Sequence, residues 1–348
     1  MSACASGLTI IKEADVESLL TWPAVFEACT EALRSVSEGK EDATQPSAKQ
    51  PIRTHVEMAR KNALGFSMLG FIENYRMKTV DPDKVFATFG HKLVSSFPTN
   101  KDLKEPLPVI IASISLFSTC TGKLKTIIEG NGVTAWRTAG ACMVATKYLY
   151  FDRNEQHKGD KVLAIVGCGV QGRMHAIGIS SMFGINEIHL WNRTVSTAND
   201  LKKELEGMTA SFVNKNLKVF VHESVRDCVK TADIIVTATG ARSPILFEDM
   251  LKENVHINAV GASKDHHSEI DLKVYQSSKL YADSMTGAKS ELKGLDCPVE
   301  GAVGDIINKT KSVTKHPRTV FHSLGMAITD CTVAQVVETL YLKKHHKQ

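Results

Sequence analysis

What this chain of 348 residues lacks excludes several kinds of protein. It has no run of about 18 apolar residues, so no membrane-spanning helix is expected. Its net charge is only +4 and aromatics are only 6% of residues. No basic run or aromatic-studded basic stripe occurs, so nucleic acid is not an expected partner. The eight cysteines are scattered and none forms a C-x-x-C pair. That spacing argues against a disulfide frame and for a reducing compartment. The thirteen histidines contain no H-E-x-x-H, and the adjacent His266-His267 suit a surface loop better than a ligand pair, so no metal is expected. The first residues lack a charged-then-apolar leader pattern and the last three are not a peroxisomal signal, which leaves the cytoplasm as the default expectation.

What is present is a globular composition, 43% hydrophobic and 23% charged, in a length that suits two domains. The most informative stretch is 161–194. A β-branched run, Val162–Val166, leads into Gly167-Cys168-Gly169-Val170-Gln171-Gly172, then a helix-compatible segment to about Phe183, then a second run, Ile188–Trp191. Strand, glycine turn, helix and strand, in that order, build a dinucleotide site. Gly167 permits the tight turn, Gly169 lets the backbone approach a pyrophosphate, and Gly172 lets helix and strand pack closely. An NAD site usually carries Asp or Glu at the end of the second strand. This chain has Asn192-Arg193-Thr194 there. All three can hydrogen-bond a 2′-phosphate, Arg193 with two parallel donors, so NADPH is the expected cofactor.

Further alternating segments follow: helix Val195–Glu206, strand Lys218–Val221, helix Ser224–Thr231, strand Ile234–Thr239, and strands Ile257–Val260 and Leu280–Ala282. Six strands suit a doubly wound sheet, so residues 151–312 are read as an α/β Rossmann domain. Residues 1–130 read as an α+β substrate-binding and dimerisation domain. Its expected elements are a helix over Asp15–Val36, strands at Ile52–Val56, Leu64–Leu69, Arg76–Val80 and Val109–Phe117, and a polar loop over Gly39–Gln50. A connecting helix, dense in small residues, covers 131–150. Residues 313–348 end in a helix near Thr332–Leu342 that returns to the first domain.

The chain resembles the ornithine cyclodeaminase/mu-crystallin family over nearly its whole length. The carriers are Pro51-Ile52-Arg53-Thr54, Met77-Lys78-Thr79-Val80, Glu129-Gly130-Asn131, Thr134-Ala135-Trp136-Arg137-Thr138-Ala139, the glycine turn, and Trp191-Asn192-Arg193-Thr194. Later carriers are Pro244-Ile245-Leu246-Phe247, His256 to Ser263, and Ser323-Leu324-Gly325-Met326-Ala327.

The resemblance implies a homodimer built through the N-terminal domain and a cofactor cleft between the domains. It implies that Arg53, Lys78 and Arg137 hold a substrate carboxylate, which fits charge-assisted bonding by three cations. It also implies cofactor contacts from Val170, Gln171, Thr237, Thr239, Ser263, Ser323 and Gly325. Ser263, also a substrate-contact position, stands where the cyclodeaminase branch carries Asp. A neutral serine cannot act as a carboxylate base, so reduction is favoured over deaminating cyclisation. The implied activity is an NADPH-dependent ketimine reductase acting on cyclic imino acids. Lys78, beside two arginines, is the expected general acid or, more modestly, a third carboxylate ligand, with a lowered pKa. The alternatives are an ornithine cyclodeaminase-type lyase and a non-catalytic protein that binds iodothyronine.

Overall fold

A computed structural model describes residues 7–37, 47–153, 159–261 and 267–345. The chain divides into two compact units, one of 1–36, 40–137 and 326–348, the other of 37–39 and 138–325.

The first unit begins with β1 (Thr9–Ile11), α1 (Glu13–Leu19) and α2 (Trp22–Ser35). The single helix expected over Asp15–Val36 is therefore two. Leu20 and Thr21 are extended, and Pro23 sits in the first turn of α2, where its missing N–H is not needed. Next come β2 (Ser47–Lys49), β3 (Thr54–Met58), β4 (Ala63–Arg76), β5 (Val85–Ser96), β6 (Ile110–Phe117) and β7 (Leu124–Glu129), and the unit closes within α3 (Asn131–Thr146), whose residues from Thr138 belong to the second unit. The strands form one sheet in the order β1-β7-β6-β5-β4-β2, with β3 also paired to β4. The polar loop expected over Gly39–Gln50 is in part strand β2, paired to β4; residues 38–46 lie outside the described residues.

The long hairpin β4–β5 departs most from the sequence expectation. Met77–Val80, expected as strand, is a turn closed by Val80 and Asp81 N–H groups on the Met77 carbonyl. Strand β5 had no sequence signal. Gly70 and Gly90 pair across the hairpin. A Cβ on Gly70 would lie 3.0 Å from Ile328 Cδ1, and one on Gly90 would lie 2.9 Å from Cys331 Sγ. The glycines that look like breaks in the strand pattern are where a helix, α10 (Ala327–His345), presses onto the sheet. Phe86, Thr88, Gly90 and Lys92 share the inward face of β5, so its buried side does not read as an apolar alternation.

The second unit carries β8 (Val162–Val166), α4 (Val170–Met182), β9 (Glu187–Trp191), α5 (Val195–Gly207), β10 (Lys218–Val221), α6 (Val225–Val229), β11 (Ile234–Thr237) and β12 (Val255–Ala259). It continues with α7 (Leu272–Gln276), β13 (Lys279–Ala282), α8 (Met285–Glu291), β14 (Val299–Ala302), α9 (Val303–Ile307) and β15 (Arg318–His322). All eight strands are parallel, in the order β10-β9-β8-β11-β12-β15-β13-β14. The sequence reading had six. It missed β14 and β15, each with few apolar residues; β15 inserts between β12 and β13, so this unit runs to Gly325 and not to 312. The core is aliphatic, centred on Ala164, Val166, Ile235, Ile257, Leu280 and Val320. Chain order reverses direction between β8 and β11. In an open sheet of this kind, ligands bind at the carboxyl ends of the strands at that switch point.

Two of the fully buried histidines in this unit have lowered pKa values. Burial pushes the His175 imidazole down to about 4, against a bond to the Gln171 carbonyl, and His256 down to about 3. Each is neutral when folded and takes a proton near 6.5 when unfolded. Their contribution is complete above about pH 6.5 and is lost as pH falls, at about 1.4 kcal/mol per pH unit each. Urea unfolding followed from pH 7 to 5 should show this loss, and His256→Gln should flatten the slope.

Candidate functional site

The dinucleotide fingerprint lies at the switch point. Gly167 adopts φ +102°, and its N–H donates to the Trp191 carbonyl at 2.8 Å. A Cβ there would lie 2.6 Å from the Ala238 carbonyl oxygen, so only glycine fits between the ends of β8 and β11. A Cβ on Gly172 would lie 1.8 Å from the Gly167 carbonyl oxygen, the close helix–strand packing expected of the third glycine. Gly169 is different: a Cβ there would meet nothing within 4 Å. It is the N-cap of α4 and provides no side-chain cap, while Val170 is 68% exposed and the buried Gln171 Oε1 has no partner among the described residues. Open space before uncapped amide groups suits a dinucleotide pyrophosphate.

At the end of β9, Asn192 Oδ1 accepts from the Cys168 N–H at 3.0 Å and Asn192 Nδ2 donates to the Thr194 carbonyl at 2.9 Å. Asn192 thus ties the glycine turn to the second strand. Arg193 and Thr194 are exposed.

Two buried carboxylates, neither expected from the sequence, brace the neighbouring strand ends. Glu269 accepts from the Thr239 N–H (2.9 Å), the Thr239 hydroxyl (2.6 Å) and the Gly261 N–H (2.8 Å). Burial raises its pKa, opposed by those bonds. Asp283 Oδ2 accepts from the N–H groups of Leu324 (3.0 Å) and Gly325 (2.8 Å), where Gly325 takes φ +85°. Thr237 is fully buried at the end of β11, and the buried Ser323 hydroxyl has no partner among the described residues. Ser263 lies outside the described residues.

In the first unit, Arg137 of α3 is buried, as a carboxylate ligand from the sequence reading should be if it is not merely solvated. Its Nε donates to Asp330 Oδ1 at 3.0 Å. The same oxygen accepts from Lys92 Nζ at 3.0 Å. Lys92 is 2% exposed and Asp330 1%. Arg53 is half-buried, its guanidinium 5.6 Å from the centre of the Phe66 ring, and its charge acts on Lys92. Burial is the largest influence on the Lys92 ammonium. With the repulsion of Arg137 and Arg53, and against the pull of Asp330, it pushes the pKa down to about 8.

Lys78 is not in this cluster. Its side chain is exposed, and its backbone N–H, with that of Thr79, donates to the Glu27 carboxylate at 2.9 and 2.8 Å. The lysine on which two arginines act is Lys92, on the strand that lacked a sequence signal. One clue was available: Lys92 shares strand parity with Phe86, and Asp330 is a lone carboxylate in a helix stretch of Ile328, Cys331, Val333, Ala334, Val336 and Val337.

The fold and these two sets of residues define a two-unit α/β protein with a nicotinamide-dinucleotide fingerprint and a buried cationic cluster. Residues 8–345 match the profile of the ornithine cyclodeaminase/mu-crystallin family, and the chain belongs to that family. It is 33% identical over 311 residues to a ketimine reductase mu-crystallin of Rattus norvegicus, covering 88% of each chain. Among solved structures it resembles a Thermococcus litoralis Δ1-pyrroline-2-carboxylate reductase in complex with NADH and L-proline, with TM-score 0.79, 25% identity, and coverage of 97% of this chain and 98% of that one. An archaeal alanine dehydrogenase dimer with bound NAD matches with TM-score 0.79 and 25% identity over 97% of both chains.

The contrast among the glycines gives a direct check. Gly169→Ala should leave the melting temperature within about 2 °C and weaken binding of the nicotinamide cofactor about tenfold or more, because the methyl enters only the open space. Gly172→Ala should lower the melting temperature as well. Differential scanning fluorimetry and fluorescence titration with the reduced nicotinamide cofactors measure both outcomes.

Proposed function

We propose that this chain is an NADPH-dependent ketimine reductase that converts cyclic imino carboxylates to cyclic amino acids. The observation that carries the reading is Lys92, a buried lysine with a lowered pKa flanked by Arg53 and Arg137. A ketimine substrate offers a carboxylate beside a C=N bond. Arg53 and Arg137 bind and orient the carboxylate by charge-assisted hydrogen bonds. Lys92 delivers a proton from Nζ to the imine nitrogen, which needs a charged ammonium that releases its proton near working pH. The nicotinamide, when bound, supplies the hydride. The relatives support the same reaction class: one is named a ketimine reductase and another, a pyrroline-carboxylate reductase, holds NADH and L-proline. Preference for NADPH rests on Arg193, which is exposed at the end of β9 with no carboxylate after Trp191.

The protein acts as a homodimer in this reading. The sheet of the first unit covers one face with α2 and α10. The other face leaves Ile10, Leu69, Leu93 and Ile111 from 39% to 54% exposed, with Phe71, Phe89 and Phe117 half-buried between them. An apolar face of that extent suits a second copy of the same surface, and the archaeal relative above is described as a dimer.

The assay is NADPH oxidation with piperideine- and pyrroline-2-carboxylates. Turnover is expected, with kcat falling above about pH 8 as Lys92 loses its proton. Lys92→Ala should reduce kcat about 10²–10⁴-fold, and Lys92→Arg should not restore it because arginine holds its proton. Lys78→Ala should leave kcat near that of the wild type. Ammonia release from ornithine at a comparable rate would instead support a lyase. Arg193→Ala should weaken NADPH binding by about 1.5–3 kcal/mol and leave NADH binding nearly unchanged. For assembly, Leu93→Glu should convert the dimer to monomer in light scattering.

A further inference from the structure

Two cations on different elements, Lys92 on β5 and Arg137 on α3, converge on one atom, Asp330 Oδ1, at 3.0 Å each. The second carboxylate oxygen, Oδ2, is buried and accepts no hydrogen bond among the described residues. Asp330 therefore gives its bonding to the two cations and none to the backbone or to a helix cap. Around it, α10 offers Ile328, Cys331, Val333 and Ala334, all buried and none able to replace a carboxylate. The helix is held there by apolar packing of its own, including Cys331 against Gly90, so the carboxylate is not needed to attach it.

We propose that Asp330 is a positioning residue of the reductase, holding the Lys92 ammonium and the Arg137 guanidinium at one point so that the proton donor stands beside the carboxylate ligand. The inference rests on the ketimine-reductase reading. The charged groups that act on Lys92 are Asp330 from α10, Arg137 from α3 and Arg53 from the segment before β3. Cys29 of α2 lies against the Arg137 carbonyl, with its thiol pushed up to about 12 and thus neutral. Asp330 is the one anion in this set. Without it, two arginines face a buried ammonium, and the only relief is loss of the lysine proton, since arginine keeps its own. Asp330 thus keeps Lys92 loaded and aimed, and does not itself touch the substrate.

The test compares wild type, Asp330→Asn and Asp330→Glu as full-length proteins with NADPH and a six-membered cyclic imino carboxylate. Lys92 titration is read separately by NMR of ¹⁵N-lysine-labelled protein. For Asp330→Asn, NADPH affinity should stay within about twofold of the wild type, while kcat at pH 8 falls about 10²-fold. The alkaline limb of kcat and the Lys92 NMR midpoint should both move down by roughly one pH unit or more. Asp330→Glu, which keeps the anion, should hold both within about half a unit of the wild type. An Asp330→Asn protein with an unmoved Lys92 midpoint, or an Asp330→Glu protein shifted as far as the asparagine variant, overturns the proposal. A wild type that leaves the imine unreduced would sink the reductase reading, while the NMR midpoints would still decide whether Asp330 governs Lys92.

Discussion

One oxygen, Asp330 Oδ1, accepts from both Lys92 and Arg137, and the charges buried in the first unit meet there. Burying a charge without a partner costs several kcal/mol, far more than a surface ion pair contributes. Neither Lys92 nor Arg137 could occupy its place with α10 absent. The bonds span 238 and 193 residues of chain, so the sheet, the middle helix and the C-terminal helix must all be in place before the charges balance. Arg53 acts on the Lys92 ammonium as well, so the cluster gathers positive charge from three separate segments of the chain.

The second unit is organised on a different principle. Its glycine turn is shaped by steric exclusion: Gly167 and Gly172 leave no room for a methyl group, and Gly169 leaves room for a ligand. Around the turn, buried carboxylates of Glu269 and Asp283 hold backbone N–H groups at the ends of three further strands. Pairing a carboxylate with several backbone donors fixes loop geometry without requiring a cation in the site. Arg193 stands exposed at the end of β9.

The two lysines illustrate how much of the site was legible in advance. Lys78 lies in a motif, Met77-Lys78-Thr79-Val80, that looks like a short strand. It is a turn instead, because Val80 and Asp81 both donate to the Met77 carbonyl. Lys92 lies in a true strand whose inward face reads Phe, Thr, Gly, Lys, a pattern that does not announce burial. Arg137 was singled out in advance only through the resemblance, within Thr134–Ala139, and its bond to Asp330 was not. Asp330 and Glu269 were not legible, since a carboxylate in sequence carries no sign of which distant donors it will meet.

The sequence by itself determined the local geometry: the glycine turn between β8 and α4, the lack of a carboxylate after Trp191, the α/β alternation of the second unit and the helix that carries Arg137. These follow from steric and periodic rules that act over a few residues. Only the tertiary structure decided which lysine is buried, where β15 inserts, and which carboxylates brace the strand ends. Each of those outcomes depends on contacts between residues far apart in the chain, where Gly70 and Gly90 admit α10 against the sheet and so bring Asp330 to Lys92.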